Sequence, residues 1–122
     1  MELAMGLQLS AQQIESRVAP HVPEGERLAA AVQATVGHDP FHFGFRYRVV
    51  VVTDARIHLF TARIWRACDP SRLVASFPAG TRIERRRDRL VREEIWIGGH
   101  ALSVTHAWRS ELDMAIAAAD RH

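Results

Sequence analysis

Arg46-Tyr47-Arg48-Val49-Val50-Val51-Val52-Thr53-Asp54-Ala55-Arg56-Ile57-His58-Leu59-Phe60-Thr61-Ala62 decides the fold. Four consecutive valines are poor helix material: their branched β-carbons lose rotamer freedom against a preceding helical turn, yet they pack well on a pleated sheet. Just upstream, Phe41, Phe43, Phe45 and Tyr47 alternate with His42, Gly44, Arg46 and Arg48, which is the two-residue period of a strand. Thr53-Asp54-Ala55-Arg56 makes a tight reversal, and Ile57–Ala62 returns as the partner strand of a hairpin. The alternation predicts that the odd positions from Phe41 to Val51 form the inner face. Val50 and Val52 then project from the opposite face, where they need cover.

Moving toward the N-terminus, Gly37-His38-Asp39-Pro40 interrupts the pattern, and Arg27–Thr35 reads as a further strand despite its alanines. A helix is predicted at about Ala11–Ala19. Ser10 is a good N-cap, Gln13 completes a capping box, Leu9 and Ile14 occupy the staple positions, and Pro20 stops the helix. Its narrow apolar stripe, Ile14 and Val18, needs a landing site. The expectation is that this helix covers Val50 and Val52, on its own barrel or on a neighbour's, which makes Val50, Val52, Ile14 and Val18 the candidate interface. Residues 1–23 are read as helix and linker, and 24–122 as the domain.

Moving toward the C-terminus, Ala67–Ser71 with Asp69-Pro70 reads as a turn, Leu73–Phe77 as a short strand and Thr81–Arg85 as another. Arg86–Arg89 reads as a charged loop, Val91–Ile97 as a strand, and Gly98-Gly99 turns into a last strand at Ala101–Thr105. About seven short strands at near-even spacing indicate a mainly β barrel or sandwich. Trp108, Leu112, Ala115, Ile116 and Ala119 then recur at helical spacing, so one amphipathic helix closes the domain with Trp108 as its plug.

Composition narrows the function. The chain has 122 residues, of which 48% are hydrophobic and 25% charged, the balance of one ordinary globular domain. Cys68 is the sole cysteine, so no internal disulfide forms and a reducing, cytoplasmic setting is expected. The first ten residues lack a basic start and a long apolar run, and no apolar run reaches bilayer length. All sixteen basic residues are arginine; against fourteen acidic ones they leave a net charge of +2, too little to make nucleic acid the expected partner. Arg82, Arg85, Arg86, Arg87, Arg89 and Arg92 form one cluster, but Glu84, Asp88, Glu93 and Glu94 are interleaved with it. A solvated hairpin is the plain reading, and contact with an anionic surface is the functional one.

No catalytic constellation stands out. His38 and His42 are the only histidines close in sequence, and Asp39-Pro40 between them opposes the helical spacing that would bring both onto one metal. No serine has a Gly-x-Ser-x-Gly frame, Cys68 has no motif around it, and Gly98-Gly99 precedes a strand rather than the helix of a phosphate loop. Neither a metal, a cofactor nor a catalytic residue is assigned.

Gly25-Glu26-Arg27-Leu28, followed by the valine-rich strand running into Thr53-Asp54-Ala55-Arg56-Ile57, resembles bacterial pleckstrin-homology-like (PH-like) domains. The resemblance covers about Glu24 to Arg121. It implies a barrel of about seven antiparallel strands capped by the C-terminal helix, and a function of binding without chemistry. Eukaryotic PH domains that hold inositol phosphates use a basic pattern over the first two strands. Arg46-Tyr47-Arg48 matches its second half, while Gln33-Ala34-Thr35 and His38-Asp39 do not supply the first. The leading expectation is a non-catalytic module that binds protein, possibly a second copy of itself, in a bacterial cytoplasm. The alternative is binding of anionic lipid or phosphoinositide-type headgroups through Arg46, Arg48, Arg85, Arg86, Arg87 and Arg89. A third reading is a small enzyme whose pocket residues leave no mark in the sequence.

Overall fold

The computed structural model of the chain describes residues 11–36, 47–63 and 66–121. Ser10, Leu9, the Phe41–Phe45 run, His38, His42 and Arg46 lie outside them. Helix α1 (Ala11–Val18) continues into a 3₁₀ turn at Ala19–His21 and is followed by β1 (Leu28–Val36), β2 (Tyr47–Thr53), β3 (Arg56–Arg63) and β4 (Arg66–Pro78). Next come β5 (Ile83–Asp88), β6 (Arg92–Ile97), β7 (His100–Thr105), a second 3₁₀ turn at His106–Trp108, and helix α2 (Arg109–Asp120). The seven strands form one sheet in the order β4-β3-β2-β1-β7-β6-β5, with every described pairing antiparallel. The mainly β architecture, with a short N-terminal and a C-terminal helix, is as the sequence predicts. The sheet is not closed: β4 and β5 are its two edges and do not pair with each other among the described residues. It consists of two ribbons, β1–β4 and β5–β7, joined where Thr35 meets Ser103 and Val36 meets Leu102. Among the described residues no helix is long and apolar enough to cross a membrane.

The hairpin at the centre of the sequence pattern forms as expected. Val49, Val50, Val51 and Val52 pair in register with Phe60, Leu59, His58 and Ile57, and all four valines are buried. The assignment of faces is reversed. Paired residues share a face, so Val52, Ile57 and Phe77 lie on one side. Phe77 reaches the other ribbon, packing its ring edge-on to His100 at 5.7 Å and crowding Gly98. The even positions therefore face the interior between the two ribbons. The odd positions, Val49 and Val51 with Phe60 and His58, form the outer face, where the His21 ring from the end of the N-terminal segment meets Phe60 at 5.7 Å. Ile14 and Val18 are buried, as are Val50 and Val52, so none of the four offers surface to another chain. Because both faces of β2 are covered, hydrophobic alternation carries no information about which one is inside.

The two helices meet over β1: Ile14 and Glu15 of α1 and Glu111 and Met114 of α2 line one small cavity above Ala30 and Ala31. The alanines that weaken β1 as a sequence signal have a packing reason. Ala30, Ala31 and Ala34 on the strand and Ala115, Ala118 and Ala119 on α2 are all buried, and small side chains on both partners let helix and strand approach closely. Trp108 and Leu112 are buried as expected of the plug.

Two segments differ from expectation. The turn at Ala67–Ser71 is part of β4, which runs from Arg66 through Pro70 to Pro78. Its pairing with β3 contains irregularities between Leu59 and Arg63, and β4 is an edge, so Pro70 breaks no ladder on its outer side. The charged loop Arg86–Arg89 is largely strand, since β5 extends to Asp88 with only Ile83 buried. A strand wet on both faces shows no alternation, and here pairing with β6 alone fixes it.

Candidate functional site

The two stretches of sequence that carry the resemblance hold each other. The Thr53 hydroxyl accepts from the Ala55 and Arg56 amides at 3.2 and 3.0 Å, which closes the β2–β3 turn, and donates to Glu26 Oε1 at 2.6 Å. Asp54 Oδ1 accepts from the Arg27 amide at 2.9 Å, and the Asp54 amide donates to the Arg27 carbonyl at 3.0 Å. Glu26-Arg27 and Thr53-Asp54 thus form one clasp between the start of β1 and the hairpin.

Behind the clasp lies a polar chain that sequence reasoning missed. His58 is buried, with Nε2 2.9 Å from Glu26 Oε1 and Nδ1 2.7 Å from Ser76 Oγ. An ionised carboxylate only accepts, so Nε2 donates to Glu26, while Nδ1 shares a hydrogen bond with the Ser76 hydroxyl. The hydrogen bond from Thr53, and after it the bond to His58, hold the Glu26 carboxyl below the usual carboxylate range. A folded-state pKa below the unfolded one contributes stability that is present above the unfolded value and is lost as pH falls through the folded one. Glu26→Gln is therefore expected to melt below wild type at neutral pH, with the gap narrowing as the pH drops below about 4.5. Thermal melts across that range check it, and a constant gap would remove Glu26 ionisation as the cause.

The arginine hairpin is exposed, as predicted, but it is not merely solvated. Arg85 Nε lies 3.0 Å from Glu93 Oε2, and its Nη2 also meets Asp113 on α2. Arg89 pairs with Glu94, and Arg86 pairs with Glu84 at 3.1 Å while lying 5.1 Å from the centre of the Trp96 ring. Asp88 accepts from His106 at 2.8 Å and from Arg109 at 3.1 Å, fastening the end of β5 to the start of α2. Glu93 and Glu94 are buried, so removing Arg85 and Arg89 takes a charge-assisted contact away from two carboxylates largely out of water. The paired change Arg85→Ser with Arg89→Ser is expected to cost about 2 kcal/mol or more, whereas Arg86→Ser with Arg87→Ser should stay within about 1 kcal/mol. Urea denaturation of the two double variants distinguishes these outcomes, and equal midpoints would mean that Glu93 and Glu94 need no partner.

The other predicted ligand residues do not join this hairpin. Arg48 lines a cleft of about 350 Å³ between the ribbons, together with Val36, Leu59, Val74, His100 and Leu102, and no residue of β5 lines it. Its Nη1 donates to the Tyr47 carbonyl at 3.0 Å. Arg48 and the cluster Arg85–Arg89 are thus separate features, and Arg46 lies outside the described residues. Among the described residues no three His, Cys, Asp or Glu side chains are grouped to hold a metal. The remaining feature is the β4 edge, where Leu73 is 51% and Val74 39% exposed beside a row of backbone groups that no other described strand pairs. The chain matches no family model, and no curated protein or solved structure is significantly similar to it.

Proposed function

We propose that the chain is a non-catalytic, PH-like interaction module of a bacterial cytoplasm, and that it binds a second copy of itself by strand addition at the β4 edge. The observation that carries this reading is the β4 edge, unpaired among the described residues, with exposed Leu73 and Val74. Backbone groups along an open edge supply hydrogen bonds to an added strand, and apolar side chains beside them supply burial. Antiparallel pairing of β4 with its own copy about a two-fold axis makes one continuous sheet and uses the same patch on both partners. Light scattering on the eluting protein should give a dimer mass for wild type and a monomer mass for Leu73→Glu, since opposing carboxylates in the ladder repel. A wild-type monomer at high micromolar concentration overturns the reading.

Ser76, His58 and Glu26 stand in the order hydroxyl, imidazole, carboxylate that activates a serine in hydrolases. Support for a structural role comes from position. Glu26 Oε1 also accepts from Thr53 at 2.6 Å, so the carboxylate is shared with the β2–β3 turn that it clasps, and neither the cleft around Arg48 nor the cavity between the helices is lined by any of the three.

A further inference from the structure

The β5–β6 turn carries the most exposed apolar residues described in the chain. Leu90 is 92% and Val91 65% exposed, side by side at the tip, with the turn closed by the Arg89 amide on the Arg92 carbonyl at 2.8 Å. Among the described residues nothing covers either side chain, and a tight reversal has no need of two large apolar residues; turn chemistry favours Gly, Asn, Asp and Ser. Around the tip the charges are sorted. Glu93 and Glu94 are turned inward and buried, while Arg86, Arg87 and Arg89 stay exposed, so the outward charge beside Leu90 and Val91 is mainly positive. The exposed acids, Asp88 and Glu84, are held by His106 with Arg109 and by Arg86, and Arg89 meets Glu94, so Arg87 is the tip guanidinium with no ion pair among the described residues.

We infer that this tip is a wedge for an anionic lipid bilayer: Leu90 and Val91 enter the interface, and the guanidinium collar meets the headgroups. Two large aliphatic side chains transferred from water supply the apolar part, and each arginine near a negatively charged surface adds attraction that salt weakens. Arginine suits the task, because its planar fork grips phosphate oxygens in pairs and its stem tolerates the apolar boundary. The site is remote from the β4 edge in strand order, at the opposite border of the sheet, so loss of self-pairing leaves this inference standing and the reverse also holds.

Sedimentation with phosphatidylglycerol vesicles tests it. The full chain should co-sediment with them and bind pure phosphatidylcholine vesicles about tenfold more weakly, with the difference fading as salt is raised. Leu90→Ser with Val91→Ser should reduce binding about tenfold while leaving the melting temperature and the mass in solution unchanged. Leu90→Trp should show a blue-shifted emission only when anionic vesicles are present. Equal binding of the serine variant and wild type, no blue shift, or equal binding to both lipids overturns the inference. A change of oligomeric mass in the serine variant without lipid also overturns it, because the tip then belongs to a protein contact. The Leu73→Glu variant should bind vesicles as wild type does.

Discussion

Trp108→Ala is expected to cost about 3–5 kcal/mol, the range for deleting a large buried aromatic side chain. Trp108 is 4% exposed and stands at the junction of the 3₁₀ turn and α2, followed one turn later by buried Leu112. The helix it starts packs on β1 and β2 and reaches β7, and its first turn is tied to β5 through Arg109 and Asp88. Loss of the indole therefore loosens the element that touches both ribbons. Alanine leaves a cavity that a sheet of fixed register collapses into only in part, which is why the cost exceeds the transfer energy alone. Thermal melting should fall by roughly 10 °C or more, whereas Met114→Ala on the exposed side of the same helix should stay close to wild type. A Trp108→Ala protein melting within about two degrees of wild type would remove α2 from the core.

Gly98→Ala is the second large effect. Gly98 has φ +52°, in the left-handed region where a β-carbon costs about 1–2 kcal/mol. A β-carbon built there would also stand 2.2 Å from the edge of the Phe77 ring. Phe77 belongs to β4 and Gly98 to the β6–β7 turn, so the overlap falls where the two ribbons face each other, and overpacking adds about 1–3 kcal/mol. The combined loss is expected at about 2–5 kcal/mol. Repeating the change in a Phe77→Ala background isolates the two causes. The steric part should vanish and the backbone part remain, giving a coupling of about 1 kcal/mol or more in the double-mutant cycle. Strict additivity would mean that the ring simply moves aside. Gly99, with φ +88° and open space around it, should show the backbone cost alone.

The parts of this fold that can be read in the sequence are those whose signals are local. Thr53-Asp54-Ala55-Arg56 announces a reversal because turn residues act within four positions, and the helix stripe of Trp108, Leu112 and Ala115 repeats within one element. Both appear where expected. What is illegible depends on neighbours. Asp69-Pro70 looks like a turn until β4 proves to be an edge, where a proline costs the sheet little. Arg86–Arg89 looks like a loop because an edge strand wet on both sides has no apolar period, yet β5 runs on to Asp88. The four valines look one-sided, yet both faces are covered, and only the register with Ile57 and Phe77 tells inside from outside. Glu26, His58 and Ser76 left no mark because His58 is 32 positions from Glu26 and 18 from Ser76, with no spacing rule to link them. The exposed arginines were visible, but their duty toward Glu93 and Glu94 was not, since burial of an acid in an alternating-charge run is a tertiary outcome.

The narrow join between the ribbons has a kinetic meaning. Strands β1 to β4 follow one another as a meander, and β5 to β7 do the same, so each set can form from contacts between sequence neighbours. Among the described residues, Thr35 with Ser103 and Val36 with Leu102 are the ladder pairs that stitch the two sets, and these partners lie more than half the chain apart. Closing so long a loop carries an entropic cost that two ladder pairs repay poorly. Folding should therefore run as two separate nucleations followed by a late docking step, with α2 supplying most of the reward for that step. In the native state the same arithmetic makes the corner at Val36 and Leu102 the first place to open, so its amides should exchange with solvent faster than those of the β2–β3 hairpin. The molecule then breathes as two cooperative units rather than one.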